Sequence, residues 1–105
     1  MPPDTTTDLD RYPLRGLLVC GTCRDPLHPA ATVTGARVYT CPTPGCRAPI
    51  RAADIEQITW ARYTARHETT AAATPRDRRH DVLIDALTAI TVGNPWIDLD
   101  YTWRY

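Results

Sequence analysis

Four cysteines, Cys20, Cys23, Cys41 and Cys46, limit what this chain can fold into more than any other feature. They read C-x2-C-x17-C-x4-C, two close pairs separated by a spacer long enough for a hairpin. Paired cysteines at such spacing form a metal-ribbon pattern. Zn2+ prefers four tetrahedral ligands, and thiolates at about 2.3 Å suit it. A C-x2-C turn sets two sulfurs on one ion and aims backbone N–H groups at them, and a hairpin returns the second pair to face the first. With cysteine in all four positions, none stays open for water. The reading is therefore one structural Zn2+ that does not catalyse. The ligand set alone leaves iron open, because S4 tetrahedra hold either metal. A thioredoxin-like redox pair would need a βαβ context around CGTC, which is missing. Two disulfides would need an oxidising compartment.

A staple is expected on other grounds. A chain of 105 residues is one domain, or a small domain with a helical appendage, and buries only about two-thirds of its unfolded surface. Ten prolines and no phenylalanine thin the core further. The opening MPPDTTTDLD has neither a basic nor an apolar signal region, and the longest apolar run, LLVC, is far too short for a bilayer. A cytoplasmic chain with no membrane partner is expected, in a reducing environment that favours metal thiolates.

Two absences bear on chemistry. The chain has no serine and no lysine, so it offers no serine nucleophile and its twelve cationic side chains are all arginines. No cysteine is left over once zinc is bound, and no histidine clusters with a carboxylate. Asp98 and Asp100 share a strand face, but a solvated polar face explains them. His28, His67 and His80 read as solvated side chains. No catalytic residue and no small-molecule substrate are expected.

The net charge is zero but unevenly spread. Asp4, Asp8 and Asp10 stand without a base in the first ten residues. Arg11, Arg15, Arg24, Arg37, Arg47 and Arg51 face only Asp25 around the cysteines, and residues 81–105 are acidic again. The cysteine region is the basic part.

Leu14 to Cys20 is an apolar run, and Leu27 to Val33 with Arg37 to Cys41 predicts a hairpin turning at Thr34-Gly35. A helix is predicted from about Ala52, with Asp54 and Glu56 near its positive end and Ile55, Ile58, Arg62 and Ala65 on one face. HETTAAATP reads as a fraying end and linker. Thr74, Pro75 and Asp77 predict a second capped helix, with Val82, Leu83, Ala86, Leu87 and Ile90 as its stripe. Gly93-Asn94-Pro95 stops the pattern. WIDLDYTWRY then alternates as a half-buried strand, with Ala89 to Val92 as a candidate partner. The expected fold is a small, metal-stapled α+β unit: a zinc β-ribbon followed by two helices and a C-terminal strand or hairpin. Its expected parts are a disordered acidic tail at 1–11, the ribbon at 12–50, and a helical hairpin with closing strand at 51–105. Ile55, Ile58, Leu83, Leu87, Ile97, Leu99 and Trp103 are the expected core of the second half.

The string Tyr12-Pro13-Leu14-Arg15-Gly16-Leu17-Leu18-Val19-Cys20-Gly21-Thr22-Cys23, followed by Leu27, resembles the opening of the zinc β-ribbon domain of large serine recombinases. The resemblance continues through Val38-Tyr39-Thr40-Cys41, the four-residue gap to Cys46, and Ile50-Arg51-Ala52. It is strongest over 12–60 and looser beyond 74. Three departures stand out. Arg24 occupies a position that is often glycine in the family, which suggests an altered knuckle or an extra basic contact. The long coiled coil is reduced to roughly TTAAATP, and the catalytic domain with its serine is absent.

The family's ribbon docks on attachment-site DNA, so the resemblance implies binding of duplex DNA without recombination. Arg15, Arg24, Arg37, Tyr39, Arg47 and Arg51 are the candidate DNA contacts, with Arg37 and Tyr39 on one strand face. The implied role is an accessory or regulator of site-specific recombination. A protein-interaction adaptor that docks on a serine recombinase, without binding DNA itself, is the alternative.

Overall fold

The computed structural model describes residues 12–104, and the expected acidic tail at 1–11 lies outside them. Strands β2 (His28–Ala31), β3 (Arg37–Thr40) and β4 (Ile50–Arg51) form an antiparallel sheet in that order. A second sheet sets β5 (Leu87–Val92) between β1 (Leu18–Cys20) and β6 (Leu99–Trp103). Between β4 and β5 the chain forms α1 (Ala52–Arg66), α2 (Glu68–Ala73), a 3-10 turn (Arg76–Arg78) and α3 (Arg79–Ala86). The small α+β fold expected from the sequence is the one observed.

The hairpin follows from its turn chemistry. Gly35 takes φ +86°, and its N–H donates to the Thr32 carbonyl at 2.9 Å. The Thr32 hydroxyl accepts from Ala36 N–H at 3.1 Å, so one residue closes the turn with both its backbone and its side chain. His28 then pairs with Thr40 and Ala31 with Arg37.

β1 runs parallel to β5, with Leu18 opposite Ile90 and Cys20 opposite Val92. A parallel pair needs a long crossover, and here the hairpin sheet and all the helices form that crossover. Beyond β1, Gly21 N–H donates to the Val92 carbonyl at 2.8 Å. A Cβ on Gly21 would meet that oxygen at 2.9 Å, so the close approach requires glycine.

α1 buries Ala52, Ile55, Thr59 and Tyr63. This stripe is turned from the expected one: Ile58 is half-buried, and Arg62 and Ala65 are exposed. The difference arises at Thr59, whose buried hydroxyl pairs with the Tyr101 hydroxyl at 3.2 Å and so fills an inward position with a polar residue. Thr74 does not cap the second helix. Its hydroxyl donates back to the Thr70 carbonyl at 2.6 Å, and the 3-10 turn after Pro75 has no side-chain cap. HETTAAATP is largely helical, as α2.

The helix expected to carry Leu87 and Ile90 ends at Ala86. Both residues are fully buried on β5 instead. Their three-residue spacing looks helical because β5 carries a register shift between Leu87 and Ala89, which lets both face inward from a strand. β6 alternates as expected, with Leu99, Tyr101 and Trp103 half-buried and Asp100 and Thr102 exposed. Ile97 departs from the expected core: it lies in the turn before β6 and is 62% exposed. At the other end of the sheet, Arg104 holds the last turn of α3. Its backbone N–H donates to the Ala86 carbonyl at 2.8 Å and its Nε to the Ile84 carbonyl at 3.2 Å.

Glu56 joins the hairpin sheet to α1. Arg37 donates to both its oxygens, at 3.0 and 2.8 Å, and the Tyr39 hydroxyl donates to Oε2 at 2.7 Å. The same Tyr39 oxygen accepts from Leu14 N–H at 3.1 Å. Burial, then the Glu56 charge, pushes the Tyr39 hydroxyl far above the ordinary phenol range, so it stays a donor. Replacing Glu56 with alanine would leave Arg37 and Tyr39 without their acceptor. We expect Glu56→Ala to cost about 2–4 kcal/mol in urea unfolding, because a mostly buried charge loses its partner. A loss below about 1 kcal/mol would show the pair to be a screened surface bridge.

Candidate metal centre

The first knuckle grows directly out of β1. Cys20 closes the strand, its N–H donating to the Asp25 carbonyl and its carbonyl accepting from Arg24 N–H, each at 2.9 Å. Leu27 N–H returns to the Leu18 carbonyl at 3.0 Å, and Val19 bridges Pro26. The turn is closed by Arg24 at φ +69°. Here an L-residue adopts the left-handed conformation that glycine takes more readily.

The second knuckle follows β3. Cys41 leaves the strand, Gly45 turns at φ +72°, and Cys46 N–H donates to the Thr43 carbonyl at 3.2 Å. Two contacts lock this loop in place. The Thr43 hydroxyl donates to Asp25 Oδ2 at 2.8 Å, joining one knuckle to the other. Arg47 Nη2 donates to the Val92 carbonyl at 3.0 Å, the same oxygen that accepts from Gly21.

The four sulfurs converge. Cys20 and Cys46 Sγ lie 3.6 Å apart, Cys23 and Cys41 Sγ 3.3 Å apart, and the four ligand atoms all fall within 4.8 Å of one another. Four thiolates at about 2.3 Å from one Zn2+ stand about 3.8 Å from each other, so the donor set fits a single tetrahedral zinc. Cys20 is buried and the other three are half-buried. Burial acts to raise the Cys20 thiol, but hydrogen bonds from the Cys23 and Thr22 N–H groups outweigh it and lower it. The hydrogen bond shared with Cys20, then burial, pushes Cys46 up. One thiolate is thus favoured from the start, and bound zinc would take the place of the remaining protons. The cluster is a site for one structural zinc, its four cysteines filling a tetrahedral shell. His28 is exposed on β2 and takes no part.

The expected surface residues divide sharply. Arg24 and Arg51 are exposed, and Arg15 is half-buried with Nη1 donating to the Tyr12 carbonyl at 3.2 Å. Arg37 and Tyr39 do share a strand face, but it points inward at Glu56, and Tyr39 is fully buried. Arg47 is half-buried against Val92. His80 is also not solvated: its Nδ1 reaches the Pro13 carbonyl at 3.0 Å. His67 is half-buried, its ring 4.9 Å from that of Tyr63. The roles of Glu56, Thr43 and Asp25 were missed. The usable signal was Asp25 and Thr43 as polar residues inside the two knuckles; nothing local marked Glu56.

Residues 13–64 match the protein family described as the recombinase zinc beta ribbon domain. No curated protein sequence matches the chain. Among solved structures, one concerned with the sequence requirements of the Listeria innocua prophage attP site superposes on 98% of this chain, with a TM-score of 0.66 and 14% identity. The chain spans about half of that structure's length, 48%.

Purified protein is expected to contain one zinc per chain, and a strong chelator should remove it with loss of the cooperative thermal transition. Metal analysis with parallel calorimetry checks this; an unchanged transition after complete removal would contradict the staple. A second expectation concerns Arg24. Arg24→Gly relieves a left-handed residue, so zinc content should hold while stability rises by about 0.5–1 kcal/mol. Denaturant melts of the two zinc-loaded proteins measure the difference.

Proposed function

Residues 13–64 belong to the recombinase zinc beta ribbon family, and on that premise we propose that this chain is a non-catalytic module that binds duplex DNA and acts as an accessory or regulator of site-specific recombination. The observation that carries the reading is Arg24. An exposed arginine holds a left-handed backbone beside the metal, where glycine would be relaxed. Strain of that kind gathers at working sites, and the side chain it presents is suited to phosphate or to the edge of guanine. Arg51, exposed, offers a second cation from the same ribbon, and half-buried Arg15, whose Nη1 donates to the Tyr12 carbonyl, a third. Arg37, Tyr39 and Arg47 drop out of the proposed contact set because they are engaged inside the fold. The subject of the structural relative, an attP site, supports a DNA partner.

This chain holds no serine for strand exchange, and its cysteines surround the metal site. We assign strand exchange to a serine recombinase, the proposed protein partner. With about three phosphate contacts, the slope of log affinity against log salt should be near −3. Fluorescence anisotropy of a labelled duplex across a salt series is the test. Arg24→Gln with Arg51→Gln should weaken binding about tenfold or more and make the slope shallower by about two. Equal affinity in the double variant would remove these residues from the interface. No binding at low salt, with capture of a recombinase retained, would move the function to the adaptor reading.

A further inference from the structure

Away from the metal, a cleft of about 570 Å3 opens between α1 and the segment that runs through the 3-10 turn into α3. Its floor is apolar, made by Pro13, Leu14, Trp60 and Leu83. Arg37 and Glu56 line one side and neutralise each other as an ion pair. Arg76 and Arg79 line the other, and among the described residues neither forms an ion pair. Asp77 is the remaining acidic group of the lining and is exposed.

The Arg79 guanidinium lies over the Trp60 ring, 4.5 Å from its centroid. Its Nε is shut off from solvent and has no acceptor. Burial, then the like charge of Arg76, disfavours its protonated form. Two neighbouring cations beside an apolar floor are a place where an arriving carboxylate gains more than it would at an open surface. The lining leaves one positive charge uncompensated. That balance matches a single carboxylate, whereas duplex DNA presents a row of phosphates and suits an extended cationic face. The size falls within the range of clefts that enclose a few side chains or a small ligand.

We propose that this cleft docks a peptide segment of a partner protein in which a carboxylate adjoins an aliphatic or aromatic side chain. The carboxylate sits on Arg76 and Arg79, and the apolar group packs against half-buried Trp60. The site is separate from the exposed arginines of the ribbon and does not depend on their binding DNA.

The test uses the zinc-loaded full chain, 15N-labelled, titrated to millimolar concentration with a pool of capped tripeptides. Each has a central glutamate between leucine, phenylalanine or tryptophan; a matched pool carries glutamine instead. The expected result is saturable shifts of the Trp60 indole and Gln57 amide signals, about tenfold weaker binding for the glutamine pool, and unmoved knuckle amides. Arg76→Gln, at an exposed position where folding is not at risk, should weaken the glutamate pool to the glutamine level. Absence of saturable shifts, or equal response to both pools, overturns the proposal. A stronger response of the same signals to duplex DNA or inorganic phosphate also overturns it, and would reassign the cleft to a phosphate ligand.

Discussion

The convergence of four sulfurs is the constraint on which the rest of this fold depends. For Cys20 and Cys23 to reach Cys41 and Cys46, the intervening chain must go out and come back, and the β2–β3 hairpin is that return. Cys20 is also fully buried, so the metal site is part of the hydrophobic core and not an appendage to it. The Val92 carbonyl extends the constraint to the C-terminal half. By accepting from Gly21 beside the first knuckle and Arg47 beside the second, it couples β5 to both cysteine pairs. A small core with no phenylalanine is thus tied together around the metal site.

What could be read in the sequence was information written in spacing. The cysteine intervals, the glycine in the hairpin turn and the alternation of β6 each encode geometry within a few residues. The features that could not be read depend on residues far apart in the chain. Leu87 and Ile90 match a helical interval, and only a strand paired on both sides and carrying a bulge explains their burial. Thr59 looks like a surface residue until Tyr101, far along the chain, supplies its hydroxyl partner. The face shared by Arg37 and Tyr39 was legible. The direction of that face was not, because it depends on where α1 brings Glu56.

That last point bears on how charge should be read in a small metal-stapled domain. Around the cysteines the sequence is rich in arginine, but two of those arginines act as internal struts. Arg37 secures the hairpin to α1, and Arg47 secures the second knuckle to β5. Regional charge therefore overstates the charge a polyanion would meet, and the surface of the ribbon is less basic than its sequence. The proposed DNA interface, built from what remains, would rely on position more than on total field, which makes the strained Arg24 more informative than the count of arginines.

The connection between α1 and α3 turns the chain back on itself. α1 ends at His67, whose backbone leaves the helical region at φ −135°, ψ 60°, and the chain resumes as the short α2. Aromatic rings gather at this bend. Trp60 stacks on Tyr63 at 5.0 Å, Tyr63 meets His67 at 4.9 Å, and His67 meets Trp103 of β6 at 6.1 Å, with Arg66 lying over the Trp103 ring at 4.7 Å. Ring contacts of this kind add directional packing beyond the area they bury. They draw the end of α1 onto the C-terminal strand, so the chain turns back instead of projecting into solvent. The same Trp60 that starts this series also carries Arg79 on the wall of the cleft. Trp60 thus links the bend to the cleft, with Tyr63 on one side and Arg79 on the other.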